Sequence, residues 1–320
     1  MSKQISIGVL MDPIEDINPA KDTTLAMMLA AQSRGWTVYY LQQHDLSLSD
    51  GKVMACLTRV EVFDSSEHWF TCHESSHMPI ETLDILLMRK DPPFDMEYIY
   101  CTYLLEQAKQ HGVLVVNEPQ SLRDANEKLY TAWFPQCTPP TLVSCSQQAF
   151  REFLIQHEDI ILKPLDGMGG ASIFRITATD PNISVILETL TEHGQKFAMA
   201  QKFIPEISNG DKRIILIDGE PIPYALARIP AKGETRGNLA AGGTGIGQEL
   251  SERDRWICQQ VGPTLKEKGL IFVGLDVIGD YLTEINVTSP TGVRELDKNF
   301  NLTICDSLMD VLQQRIQSEK

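Results

Sequence analysis

Basic residues are scarce in this chain. Against 43 Asp and Glu there are only 28 Lys and Arg, a formal net charge of −15 over 320 residues. Such a surface repels DNA, RNA and anionic membrane, and no local basic cluster offsets it, so nucleic acid is not an expected partner. An anionic small molecule such as a nucleotide would need local cations and a divalent metal. Long hydrophobic runs are missing too: nothing approaches the roughly 20 apolar residues of a membrane span. The stretch MSKQISIGVLMDP has a short apolar run that Asp12-Pro13 ends, with no small-residue cleavage site after it. It reads as a first strand rather than a signal peptide. The seven cysteines are an odd number without any CxxC pair. That pattern points to reduced thiols in a cytoplasmic protein. Internal repeats and low-complexity tracts are absent.

What is present fits a soluble globular protein, with 42% hydrophobic and 22% charged residues. The length allows two or three compact domains. Over roughly the first 120 residues strand and helix patterns alternate. The strands are ISIGVLM (5–11), TVYYLQ, DILLMR and VLVVN; the helices are DTTLAMMLAAQSRG (22–35) and DMEYIYCTYLLEQAKQHG. SLSDGKVMACLTRVEVF carries a DG turn between extended runs and reads as a hairpin. This rhythm predicts an open parallel sheet.

After Pro135, Pro139 and Pro140 the pattern changes to α+β. Strand TLVS, helix 147–157, strand DIILKP, strand SIFRIT, helix 183–193 and strand FAMAQKFI follow one another. RIILIDGEPIPYALARI is a second DG hairpin. Two glycine-rich segments interrupt this half. KPLDGMGGASIF (163–174) is either a phosphate-binding turn or an ordinary one. AKGETRGNLAAGGTGIG (231–247) reads as a long structureless loop, either an active-site lid or a plain surface loop.

Two segments compete as metal sites. HESSH (73–77) matches HExxH literally, but Ser75, Ser76 and Pro79 oppose the helix that motif needs. A solvated loop is the better reading, and a zinc protease is disfavoured. GLDVIGDYLTEINVTSP (274–290) reads as a hairpin turning at Gly279-Asp280. A two-residue turn would pair Asp276 with Thr283. A three-residue loop, 279–281, would pair Asp276 with Glu284 and collect Gly274, Asp276, Glu284 and Asn286 on one face. The second register separates polar from apolar residues cleanly and is preferred. Its carboxylates and amide oxygen suit a hard cation such as Mg²⁺. A solvated strand face is the alternative.

Together and in order, VLMDPI, LMRKDPPFD, NEPQSLRDANEKL, ILKPLDGMGGASIFR, GETRGNLAAGG and GLDVIGDYLTEINVTSPTG resemble the ATP-grasp ligases, and within them the prokaryotic-type glutathione synthetases. The resemblance runs nearly end to end. It implies an α/β plus α+β fold in three parts. A pre-ATP-grasp, substrate-binding α/β domain would cover 1–125, a central ATP-grasp lid 126–203, and a C-terminal ATP-grasp domain 204–320 with the metal hairpin and flexible loop 229–247. It implies ATP-dependent joining of γ-glutamylcysteine and glycine through an acyl phosphate, with ADP and phosphate released. Another ATP-grasp carboxylate–amine ligase, or a catalytically silent ATP-binding protein, is the alternative. Implied cofactors are ATP and Mg²⁺, with Mn²⁺ as a second candidate, and the implied assembly is a homotetramer.

The resemblance also distributes roles. Lys128 and Lys163 would hold phosphates, and Gly167, Met168, Gly169 and Gly170 would fold over them. Gln201, Lys202, Phe203 and Ile204 would meet the adenine, and Asp211 belongs to the same ATP-binding set. Asp276, Glu284 and Asn286 would bind the metal. Arg213, Arg228 and, from the lid, Arg236 would serve catalysis. Lys21, Arg89, Ser289 and Thr291 would bind the dipeptide or shape its pocket.

Overall fold

The computed structural model describes residues 4–167, 169–233, 237 and 243–318. Three sheets follow one another along the chain. The first contains β1 (Ser6–Leu10), β2 (Thr37–Leu41), β3 (Leu46–Ser49), β4 (Lys52–Val62), β5 (Phe70–Pro79), β6 (Ile85–Met88) and β7 (Leu114–Val116). Its order is β3-β4-β2-β1-β6-β7, with β5 paired to β4. The expected parallel sheet is only part of it. β2, β1, β6 and β7 run parallel, whereas β4 is antiparallel to β2, β3 and β5. The parallel strands are buried and apolar, as strands covered on both faces must be.

The helices start where short polar side chains cap them. Asp22 accepts from the Leu25 N–H ahead of α1 (Thr23–Ser33), and Asp95 accepts from the Tyr98 N–H ahead of α2 (Met96–Gln110). A short helix, α3 (Pro119–Asp124), leads out of this part.

HESSH lies on β5, not in a loop. The edge strand is solvated on both faces, which is why its polar composition reads as loop. In a strand its two histidines stand about 13 Å apart, too far to share one zinc ion.

The second sheet is β8 (Thr141–Ser144), β9 (Asp159–Pro164), β10 (Phe174–Thr177) and β11 (Ala198–Lys202), fully antiparallel in the order β10-β9-β11-β8. Helices α4 (Gln147–His157) and α5 (Ile183–Thr191) pack on it. It has a core of its own, built on Phe150, Leu154, Ile160, Leu162 and Leu187.

The third sheet, order β14-β13-β12-β15-β16, is also antiparallel. It comprises β12 (Asp211–Ile217), β13 (Glu220–Ile229), β14 (Thr244–Glu249), β15 (Phe272–Ile278) and β16 (Tyr281–Asn286). β14 takes up the end of the glycine-rich segment, so positions 244–247 are strand where sequence alone suggests loop. Helix α6 (Glu252–Glu267) starts at a Ser251/Asp254 capping box. α7 (Val293–Phe300) and α8 (Ile304–Ser318) close the chain, and α8 packs against α1. The first and third sheets share their cores; residues such as Leu10, Leu86, Ile214 and Leu275 belong to one cluster. None of the described helices is long and apolar enough to cross a membrane.

Candidate functional site: a cleft between the second and third sheets

Strand alternation assembles the floor. On β12, Asp211 and Arg213 share a face, and their cross-strand partners are Arg228 on β13 and Asp276 on β15. Next door, Asp276 lies opposite Glu284, and Gly274 opposite Asn286. The preferred pairing is therefore present, but a different device produces it. The turn is the two-residue one, with Ile278 opposite Tyr281 and Val277 opposite Leu282, and a bulge at Thr283 then shifts the register. The bulge residue has two further bonds. Its hydroxyl donates to the Asp276 carbonyl at 3.1 Å, and its own carbonyl accepts from Lys163 Nζ at 3.1 Å.

Asp276 is buried and gripped from two sides. Arg213 Nε and Nη2 reach its two oxygens at 2.5 and 3.1 Å, and Arg228 Nη2 approaches Oδ2 at 2.8 Å. Burial alone would raise this carboxyl; the two guanidiniums outweigh it and hold it well below the usual carboxylate range. Arg228 also pairs with Asp211. For Asp211 burial wins over Arg228, and its carboxyl is pushed up to about 6. Its Oδ1 is buried with no hydrogen-bond partner among the described residues.

The roof and wall come from the second sheet and its approach. Lys163, on β9, is 6% exposed, and burial lowers its ammonium to about 8. Lys128 bridges the two sides: Nζ pairs with Glu284 Oε1 at 2.9 Å and donates to the Gly167 carbonyl. Gly169 and Gly170 have φ of +66° and +78°, successive left-handed conformations that side-chained residues resist. Gly237, in the second glycine-rich segment, lies directly on the floor; a Cβ there would sit 2.5 Å from the Arg228 carbonyl and 2.9 Å from Asp211 Cβ.

These groups line one cavity of about 360 Å³. Lys128, Lys163, Gly167, Gly169, Gly170, Gln201–Ile204, Asp211, Arg213, Arg228, Asp276, Glu284, Asn286, Ser289 and Thr291 all border it. The N–H groups of Lys202 and Phe203 are taken by the Pro140 and Asp159 carbonyls, each at 3.0 Å. Met168 and Arg236 lie outside the described residues.

Two expected residues are not in the lining. Lys21 is exposed on the loop before α1. Arg89 is buried behind the wall, where it bonds Thr24 Oγ1 and the Pro290 carbonyl at 3.1 and 2.9 Å. Arg89 thus shapes the Ser289–Thr291 segment from behind. Glu127, Asp91 and Thr288 border the cavity and were not anticipated. Each lies next to a stretch already singled out, Glu127 beside Lys128, Thr288 beside Ser289 and Asp91 two residues after Arg89, but adjacency alone assigns no role.

The oxygen donors of Asp276, Glu284 and Asn286 face the same space as four buried or half-buried cations. Asn286 spends its Nδ2 on the Gly274 carbonyl at 3.1 Å, so its amide oxygen is the atom left for a cation.

The family model of the prokaryotic glutathione synthetase N-terminal domain matches residues 5–123, and that of the prokaryotic glutathione synthetase ATP-grasp domain matches residues 127–301. This chain belongs to the prokaryotic glutathione synthetase family. A glutathione synthetase of Pseudomonas aeruginosa is 61% identical over 96% of this chain and 97% of its own length. One of Vibrio parahaemolyticus is 59% identical over 98% of this chain and 100% of its own. Membership makes the chain an ATP-dependent carboxylate–amine ligase of glutathione synthesis; the alternatives, a different ATP-grasp ligase or a silent ATP-binding protein, are not favoured by relatives this similar. Solved structures share the fold at low identity. D-cycloserine synthetase DcsG superposes with TM-score 0.67 at 14% identity, covering 97% of this chain and 99% of that one. The ATP-grasp ligase PsnB, complexed with minimal precursor, Mg and ADP, gives 0.64 at 17%, covering 97% and 98%.

Proposed function

We propose that this cleft converts γ-glutamylcysteine and glycine into glutathione through an acyl phosphate, with the residues in the following roles. The observation that supports the reading is that the glycine turn 167–170 and the acidic hairpin face one cavity and are joined through Lys128.

A carboxylate is a poor electrophile because its oxygen is a poor leaving group. Transfer of the γ-phosphoryl group of ATP forms a new O–P bond on the substrate carboxylate and breaks the bond to ADP. The amine nitrogen then attacks the acyl carbon, phosphate departs with the C–O electron pair, and the nitrogen gives up a proton. Positioning and electrostatics carry such a transfer. Lys128 and Lys163 hold the phosphates, and the backbone N–H groups of 167–170 cover them. Gln201–Ile204 receive the adenine, and Asp211 closes the ATP site. Arg213 and Arg228 stabilise charge at the reacting carboxylate. Ser289 and Thr291 contact the dipeptide, Arg89 shapes that segment, and Lys21 acts from outside the lining. Asp276, Glu284 and Asn286 would hold Mg²⁺, or Mn²⁺, which when bound neutralises phosphate charge. The seven free cysteines support a cytoplasmic location. The homotetramer and the division at 125 and 203 belong to the same proposal; the separate core of the second sheet supports its moving as a lid.

ADP release by the purified protein across a matrix of carboxylates and amines tests the substrates. Stimulation by γ-glutamylcysteine plus glycine alone is expected; equal stimulation by another pair would overturn the assignment.

Lys163 gives a pH signature. Its ammonium, depressed to about 8 by burial, attracts ATP below that pH and is lost above it. Calorimetric affinity for a non-hydrolysable ATP analogue should therefore fall as pH rises from 7 to 9, and the fall should vanish in Lys163→Arg. A flat wild-type profile contradicts the role.

The lid has a separate test. Gly237→Ala forces the segment off the Arg228 carbonyl. With this segment displaced, water should compete, and ADP should outrun peptide product. One ADP per peptide bond in this variant would remove the lid from water exclusion.

A further inference from the structure

β16 ends at Asn286, and the segment that follows, Val287 to Thr291, carries Ser289 and Thr291 into the cleft without a strand partner. Side chains hold it instead. Asn117 Nδ2 donates to the Val287 carbonyl at 2.8 Å, Arg89 to that of Pro290 at 2.9 Å, and Arg213 to that of Thr291 at 3.3 Å. The N–H groups of Val287 and Thr288 both point at a single atom, Glu127 Oε1, at 2.9 and 3.0 Å, and the Thr288 hydroxyl donates to it at 2.9 Å. The backbone carbonyl of Glu127 accepts from the Ile285 N–H at 2.8 Å.

Glu127 forms no ion pair among the described residues. Its neighbours in the chain face the other side of the cleft: Asn126 Nδ2 donates to the Leu165 carbonyl at 3.1 Å, and Lys128 reaches Gly167. Residues 126–128 thus tie the glycine turn to the end of the acidic hairpin. A carboxylate inside a concavity of successive N–H groups replaces the missing ladder partner.

We propose that Glu127 is a positioning residue for ligation: its Oε1 fixes the Val287–Thr288 peptide, and through it Asn286 on one side and Ser289 on the other. This rests on the roles proposed above for Asn286 and Ser289. Glu127 acts through geometry, so the acceptor atom and its reach matter more than the charge.

Two substitutions separate these properties. Glu127→Gln keeps an acceptor oxygen at the same reach; Glu127→Asp keeps the charge and withdraws it by one methylene. Glu127→Asp is expected to lower kcat by about tenfold or more, because roughly an ångström of misplacement is costly at a reacting centre. KM for ATP should stay within about twofold, since the adenine segment is on the other sheet, and Glu127→Gln should retain most of the activity. Thermal midpoints of both variants are read alongside. Wild-type kcat in Glu127→Asp, or a kcat per folded molecule that is unchanged while the midpoint falls, overturns the proposal. So does a Gln variant as impaired as the Asp one, which would make the charge decisive. Asn286→Ala, followed by Mg²⁺ titration, separates this from the site reading. A normal Mg²⁺ response there contradicts the metal role, whereas an impaired one beside an unimpaired Glu127→Asp contradicts the positioning role alone.

Discussion

Replacing Lys163 by methionine is expected to lower turnover by roughly 10²- to 10³-fold, about 2.7–4 kcal/mol of transition-state stabilisation. Methionine matches the length and removes the charge. The ammonium is buried, donates to one carbonyl, and is already depressed to about 8. At neutral pH it is still mostly charged, but burial makes that charge less favourable in the folded protein than in the unfolded chain, so removing it should not lower thermal stability. Collapse of kcat with an unchanged or raised thermal midpoint is the expected pair of results. A variant with wild-type turnover would take Lys163 out of phosphate binding, and with it most of the argument that the glycine turn holds a triphosphate.

Glu284→Gln should cost at least about tenfold in turnover at ordinary Mg²⁺ and recover in part as Mg²⁺ is raised, because a neutral amide is a weaker ligand for a hard cation. The amide oxygen can still accept from Lys128, so the 2.9 Å contact need not be lost. That separates loss of metal from loss of structure. An Mg²⁺ titration that overlays the wild type would remove Glu284 from the metal set and return the hairpin to a solvated strand face. Asp276 is less suitable for this test. It pairs with both Arg213 and Arg228, and its removal would leave the buried Arg213 guanidinium without its carboxylate and Arg228 with Asp211 alone.

The acidic hairpin shows where pattern reading succeeds and where it stops. Alternation of polar and apolar residues from Val273 to Val287 demanded Asp276 opposite Glu284, and that pairing is present. That pairing was expected from a three-residue loop, 279–281, whereas the turn is the two-residue one at Gly279-Asp280. Pairing and turn conflict by one residue in a regular ladder. A bulge at Thr283 reconciles them, and its carbonyl is bonded by a lysine 120 positions earlier in the chain. No local pattern contains that lysine.

HESSH failed as a loop assignment for a related reason. A strand exposed on both faces has no apolar alternation, and only its pairing to β4 makes it a strand. Glu127 was missed because a carboxylate next to a lysine looks like any solvated pair; the peptide it holds lies 160 residues away.

By itself the sequence determined the alternation of β1, α1, β2, β6, α2 and β7, both DG hairpins and the acidic face of the last hairpin, because these depend on neighbours two to four positions apart. The tertiary structure alone decided that Arg213 and Arg228 share Asp276, that Arg89 works from behind the wall, and that residues 126–128 join the two sides of the cleft. Those arrangements depend on burial and on hydrogen bonds between distant segments, whose strength is set by the low-dielectric cleft that exists only once all three sheets have folded.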